Sequence, residues 1–373
     1  GVERGTVDIA AAVVEAGGEA IVDSEGGRMV HELERAGASH IELPLASKNP
    51  VVMQRNVGRL RAVIRDYGVD ILHARSRAPA WSAFLACRNS DVDFVTTFHG
   101  TYNRGAPFKT LYNSVMTRGD RVIAISHFIA DHMEKIYKVD RRRIRVVHRG
   151  VDVEIFDPGK IPAARVIKLA TEWRLPDDCR VVMLPARLTR WKGQSLLVEA
   201  LARIDTTGLR CLLVGDDQGR TGYRRELERL IERHDLGGVV HLVGDCADMP
   251  AAYMLADVVV SASTDPEAFG RVMVEGQAVG KPVIGAAHGA SGELIRPNET
   301  GWLFEPGDAN SLAMALEAAL SLDTGERETL AERAIENVQA NFTKDQMCAR
   351  TLDVYSELLT EAAARSQRRE AVR

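Results

Sequence analysis

The stretch Val258 to Gly276 reads VVVSASTDPEAFGRVMVEG, and its three parts decide the fold. Val258, Val259 and Val260 form the β-branched run that a buried parallel strand needs. Ser261 to Pro266 is a turn-rich break, and from Phe269 a helix pattern carries Val272, Met273, Val274 and Ala278 towards a core. A strand, a loop and a helix N-terminus together make an anion site, because the first helical N–H groups are unpaired and the dipole there is positive. Gly270 lets a ligand approach the backbone. Glu267 lies in the loop and Glu275 inside the helix. Carboxylates are poor phosphate ligands but good acceptors for sugar hydroxyls. The arrangement suits a molecule with hydroxyls at both ends and phosphate between them, which is a nucleotide sugar.

Outward from this stretch, strand and helix signals alternate. Ala20–Val22, His40–Leu45, Val69–His73, Phe94–Phe98, Arg121–Ile125 and Ile144–Val147 read as strands separated by helical patterns. Asp157-Pro158-Gly159 and Pro162 punctuate the chain as a linker. A second set follows, with strands at Val181–Leu184, Cys211–Val214, Val239–Val243, Val258–Val260 and Pro282–Ile284. This alternation predicts two α/β domains built on parallel sheets. A final helix from Lys344 to about Ala364 carries Met347, Leu352, Tyr355, Leu358 and Leu359, and the basic end from Ala363 on is expected to fray. The expected domains are 1–160, 161–343 and a closing helix with its tail, 344–373. The chain opens on Gly1-Val2-Glu3-Arg4-Gly5 and passes straight into a helix pattern. A glycine loop of that kind normally follows a strand, so the first sheet is expected to lack its first, central strand.

With 373 residues, 45% hydrophobic and 27% charged, the chain is long enough for two cores and ordinary for a globular enzyme. A net charge of −4 gives no argument for a nucleic-acid partner. The five cysteines are scattered without a C-x-x-C, which fits a reducing cytoplasm better than a disulfide framework or a zinc site. No apolar run approaches the roughly 20 residues needed to span a bilayer, and no signal-peptide pattern is read. The helix carrying Arg55 and Arg59 and the run Arg141-Arg142-Arg143 are basic surfaces that could rest on the anionic inner face of the plasma membrane.

Ligands of open α/β sheets sit beyond the carboxyl ends of the strands. His99, Ser126, Arg149, Arg187, Asp216, Asp245 and Glu267 all fall there. Arg187 and Lys192 flank one strand-to-helix loop, where a forked cation and a point charge can clamp a diphosphate. Asp216 joins the nucleotide-binding set. No D-x-D is found near the cleft, so no metal or other cofactor is expected, the cationic pair and the helix dipole neutralising the diphosphate.

Glu267-x-Phe269-Gly270 with Glu275 eight residues after Glu267 resembles the E-x7-E signature of retaining glycosyltransferases of family four. Arg187 followed by Lys192-Gly193 is similar to the family's R-x4-K pair, and Thr97-Phe98-His99-Gly100 to its histidine loop. The loop from Gly1 resembles its G-G-x-E loop, and Arg149-Gly150-Val151-Asp152 its N-x-G-V-D segment, with His148-Arg149 replacing the usual polar pair. The resemblance implies a GT-B fold: two Rossmann-like domains facing across a deep cleft, with the last helix crossing back to the N-terminal domain. It also implies transfer of a hexose or N-acetylhexosamine from a nucleotide-diphosphate sugar with retention. Arg187, Lys192 and the amides at Phe269, Gly270 and Arg271 then hold the leaving diphosphate, and Gly1 belongs to the loop closing over it. Glu275 accepts from the ribose, Glu267 orients the sugar and His99 contacts it. The expected acceptor is a lipopolysaccharide core or another envelope glycan or glycolipid. The rival readings are an epimerase or hydrolase of the same fold, and a non-catalytic nucleotide-sugar binding module.

Overall fold

The structure is a computed structural model that describes residues 2–102 and 107–371. The chain forms two compact units. One comprises the residues up to Arg149 together with those from Lys344 on, and the other runs Gly150–Thr343. The punctuated segment Asp157–Pro162 therefore lies inside the second unit.

In the first unit, β1 (Ile21–Ser24) pairs in parallel with β2 (Ser39–Glu42). A separate parallel sheet has the order β3 (Ile71–Ala74), β4 (Asp93–Phe98), β5 (Arg121–Ala124), β6 (Ile144–Val146). A cavity of about 420 Å³ is lined both by Ile21 and Val22 of β1 and by Ile71 and Leu72 of β3, so the two sheets are not hydrogen-bonded into one. Every residue of β4 is buried, as a central parallel strand covered on both faces requires.

The last helix belongs to this unit. Met347, Val354 and Leu358 pack with Ile9, Val95, Ile123 and Val147. Its polar end does not fray at Ala363, and the helix continues to Ala371. Arg365 reaches both oxygens of Asp93 at 2.8 Å and Arg369 reaches Asp91 at 2.6 Å, anchoring turns that composition alone marks as free. Midway, Glu357 accepts from Arg121 and Arg145, the Arg145 Nε–Oε2 bond being 2.8 Å. The bonds from Arg145 and then Arg121 hold the Glu357 carboxyl at about 2, below its ordinary 4.5. A carboxylate depressed in the folded state contributes stability above its unfolded value and loses it as pH falls towards the folded one. Glu357→Gln is therefore expected to lower the melting temperature at neutral pH and to flatten its fall between pH 4.5 and about 2, read from paired thermal melts.

The second unit has one six-stranded sheet, all parallel: β7 (Arg180–Pro185), β8 (Leu209–Val214), β9 (Val240–Gly244), β10 (Val258–Ser261), β11 (Val283–Ala286) and β12 (Gly301–Phe304). Its spatial order is β12-β11-β10-β7-β8-β9. This is the doubly wound Rossmann order, and it reverses direction between β7 and β10. The valines of β10 are fully buried, as their branching predicts. The strand β12 and the helix Ala163–Glu172 are absent from the sequence reading. GWLF opens on a glycine and shows no alternation, and the helix follows a proline that reads as a stop yet serves as its N-cap.

Candidate active site

The switch point between β7 and β10 is where an open α/β sheet leaves a crevice, because the connections from the two strands run to opposite sides. Both sequence motifs emerge there: Arg187 follows β7, and Glu267 follows β10. The loops are bonded together, with the Thr264 N–H donating to the Trp191 carbonyl at 2.8 Å. Gly193, at φ +72°, makes the approach possible, since a Cβ there would lie 1.8 Å from the Ala262 carbonyl oxygen.

Lys192 Nζ donates to Glu267 Oε1, and Ser263 Oγ donates to the same oxygen at 2.6 Å. Both partners are largely buried, with side-chain exposures of 18% and 12%. Glu267 Oε2 has no hydrogen-bond partner among the described residues. The carboxylate is thus held by one oxygen and presents the other. Its backbone is held as well: the Ala290 N–H donates to the Glu267 carbonyl at 2.9 Å, and Gly289 abuts the Glu267 main chain so closely that a Cβ would clash. The Arg187 guanidinium is exposed and has neither ion pair nor hydrogen bond among the described residues. The loop carrying it is fixed through its backbone, by Gln194 Nε2 donating to the Arg187 carbonyl at 2.9 Å. One cation of the pair is committed to a carboxylate and the other is open to an anion.

The helix after β10 begins at Arg271, two residues later than the sequence pattern suggests. Gly270 is left-handed at φ +94°, so Phe269 and Gly270 belong to the turn that aims the helix N-terminus. The Phe269 ring is core, packed edge-on against Phe342, which leaves only its main chain for a ligand. Inside the helix, Glu275 forms an ion pair with Arg271, whose Nη2 lies 2.7 Å away, and accepts a hydrogen bond from the Tyr253 hydroxyl at 2.8 Å. Burial and then the Glu275 charge push the Tyr253 hydroxyl well above its ordinary range, so it stays a donor to that carboxylate. Asp216 is a turn residue: its Oδ1 accepts from Gln218 N at 3.0 Å and its carbonyl accepts from Leu188 N at 3.0 Å. Gly1 lies outside the described residues.

In the first unit, His99 follows β4. Its Nδ1 lies 3.3 Å from Arg149 Nη1, and burial, with Arg75 and Arg149 nearby, holds its pKa well below the ordinary imidazole value. A guanidinium only donates, so Nδ1 accepts and the neutral ring carries its proton on Nε2. Nε2 is buried and has no hydrogen-bond partner among the described residues. His73, by contrast, is engaged at both nitrogens, by Tyr355 at 2.6 Å and Thr97 at 2.7 Å, which is a structural role. The basic run also has local partners: Arg142 pairs with Asp140, Arg143 donates to the Gly119 carbonyl, and Arg141 stands 3.8 Å from Asp131.

Sequence reasoning passed over Tyr253, Ser263 and His288. Tyr253 reads as a core aromatic and Ser263 as a turn residue, and neither carries a motif. His288 sits beside Gly289 on the loop after β11, with both ring nitrogens buried and without hydrogen-bond partners among the described residues. A glycine-rich turn hid it.

Two family descriptions match the chain: Glycosyltransferase Family 4 over residues 1–155 and Glycosyl transferases group 1 over residues 167–339. A glycosyltransferase of known structure from Rickettsia africae is 38% identical over 96% of this chain and 95% of its own, with a TM-score of 0.89. Anabaena Alr3699/HepE, solved in complex with UDP, is 25% identical over 96% of each chain, with a TM-score of 0.83. The D-inositol 3-phosphate glycosyltransferase of Xylanimonas cellulosilytica is 29% identical over 79% of this chain and 74% of its own. The putative colanic acid biosynthesis glycosyltransferase WcaL of Escherichia coli is 30% identical over 62% of this chain, and the match spans about half its length, 55%. The chain belongs to the family four, group 1 glycosyltransferases and has their two-domain GT-B fold. Among the described residues no helix is long and apolar enough to cross a membrane.

Proposed function

We propose that this enzyme transfers a hexose or N-acetylhexosamine from a nucleotide-diphosphate sugar to a hydroxyl of an envelope glycan or glycolipid, with retention at the anomeric carbon. The observation that carries it is Glu267, pinned by Lys192 and Ser263 through one oxygen while the other is presented at the switch point. In this reading Oε2 accepts from the sugar, and Glu275, braced by Tyr253 and Arg271, accepts from the ribose. Arg187 and the helix N-terminus at Arg271 take up the diphosphate charge as the sugar–phosphate bond breaks, and no metal is assigned a part in this. His99 contributes its Nε2–H towards the sugar. UDP in the HepE complex supports a nucleotide-linked donor. The colanic acid relative supports an envelope acceptor, and the inositol phosphate relative a small polyol one. Contact with an anionic membrane face is assigned to Arg55 and Arg59, both exposed on the helix Pro50–Tyr67, and cytoplasmic residence follows from the same reading.

The test is turnover with a panel of nucleotide sugars and envelope-type acceptors, with the product's anomeric configuration read by proton NMR. Retained configuration supports the reading, and inversion, or release of free sugar with no acceptor dependence, overturns it. Arg187→Ala is expected to raise the donor KM about tenfold or more with a smaller change in kcat, since the exposed guanidinium binds ground-state and leaving diphosphate alike.

A further inference from the structure

We propose that the first unit carries a second small-molecule site, at the amino end of β4, for a ligand bearing one phosphate or carboxylate group together with hydroxyls. The site stands at the opposite end of that strand from His99, and it does not rest on the transfer reading.

A cavity of about 400 Å³ opens there, within the ordinary size of a ligand pocket. It is bounded by the end of the helix Arg77–Cys87, the start of β4, the loop before β5 and the last turns of the helix Lys344–Ala371. Seven of its lining residues are charged. Arg365 closes on Asp93 and Arg369 on Asp91, so these four cancel. Arg88, Arg118 and Asp120 are left, with one positive charge in excess.

Arg118 carries the argument. Its guanidinium lies over the rings of Trp81 and Phe84, 5.2 and 5.1 Å from their centroids, and has neither ion pair nor hydrogen bond among the described residues. Stacking fixes the group but engages none of its N–H donors. A cation held in place without a counter-charge is preorganised for an oxyanion. Arg88, which ends the helix Arg77–Cys87, lines the same cavity and likewise has no side-chain partner among the described residues.

Asp120 supplies the second half of the recognition. Its Oδ2 accepts from the Phe94 N–H at 2.8 Å, while Oδ1 has no hydrogen-bond partner among the described residues. The presented oxygen takes a hydroxyl and repels a second anion, so the ligand carries its charge at one end and its hydroxyls at the other. Cys87 also lines the cavity, but burial pushes its thiol up to about 12, so it stays protonated and brings neither a nucleophile nor a metal ligand. An occupant bridges the loop before β5 to the last helix, since Arg365 and Arg369 share the lining.

Calorimetric titration of the full chain tests this, with UDP in excess to occupy the donor site and with glucose 1-phosphate, inorganic phosphate and glucose as probes. Wild type is expected to bind one glucose 1-phosphate per chain, phosphate more weakly and glucose not measurably. Arg118→Gln and Arg88→Gln should each weaken glucose 1-phosphate binding by at least about tenfold while the UDP affinity stays as in wild type. Arg88→Gln guards against a loss that comes from folding, because it alters an exposed side chain with no bonded partner. Asp120→Asn keeps an oxygen for the Phe94 N–H and should weaken glucose 1-phosphate but not phosphate. The proposal is overturned if glucose 1-phosphate gives no heat under excess UDP, or if Arg118→Gln binds it like wild type. Equal loss of both probes in Asp120→Asn would overturn the hydroxyl contact.

Discussion

Glu267→Gln is expected to lower kcat/KM for sugar transfer by about 10²–10³-fold while shifting the melting temperature by only a few degrees. Glutamine keeps an oxygen where Oε1 is, so it can still accept from Ser263 and Lys192. What it loses is the charge and the acceptor at the presented oxygen, which becomes an NH2 donor. Glu267→Ala is the blunter variant. It strips the accepting oxygen as well as the counter-charge from a Lys192 that is only 18% exposed, and breaking a buried pair from one side costs about 3–5 kcal/mol. A part of that is recovered here by residual solvent. Alanine therefore confounds stability with chemistry, and the comparison of the two variants separates them. The measurement is steady-state kinetics beside a thermal melt of each. Near-normal turnover by a folded Glu267→Gln protein would sink the assignment of this carboxylate.

How far the sequence reached depended on whether chemistry was written in adjacent residues. The valine run of β10 announced a buried strand, and Arg187, Lys192 and Glu267 were legible because each lies within a few residues of a strand's end. The sheet order was not legible. Only hydrogen bonding between strands 76 residues or more apart, such as Asp257 Oδ2 accepting from Val181 N at 2.7 Å, shows that β7 and β10 are neighbours and that their loops share one crevice. The partners of the site residues were hidden for the same reason. Tyr253 is 22 residues from Glu275, and Lys192 is 75 from Glu267. Helix limits were set by backbone geometry that hydrophobic patterning does not encode: Phe269 continues the apolar stripe, but the left-handed Gly270 delays the helix to Arg271. The crowding at Gly5 was likewise invisible, since it depends on two arginines 70 and more residues away.

The contact that joins the two loops gives the largest expected effect on stability. Gly193→Ala is expected to destabilise the protein by more than about 4 kcal/mol, a size reserved for defined structural lesions. Two penalties combine. At φ +72° an L side chain is strained, which costs about 1–2 kcal/mol. The new Cβ would also lie 1.8 Å from the Ala262 carbonyl oxygen and 2.6 Å from its carbon, and backbone cannot yield as the end of a flexible side chain can. Gly208 provides the control. Its φ of +66° imposes the same conformational penalty, but nothing lies within 4 Å of its Cβ position. Gly208→Ala should therefore lose only the first term, about 1–2 kcal/mol. Denaturant melts of the two variants measure the difference. It isolates the energy of holding the Lys192 loop against the β10 loop, and hence of holding Lys192 on Glu267. Equal losses would mean that the loops part without cost. In that case the Lys192–Glu267 pair would not be preorganised by the fold, and the donor itself would have to assemble it.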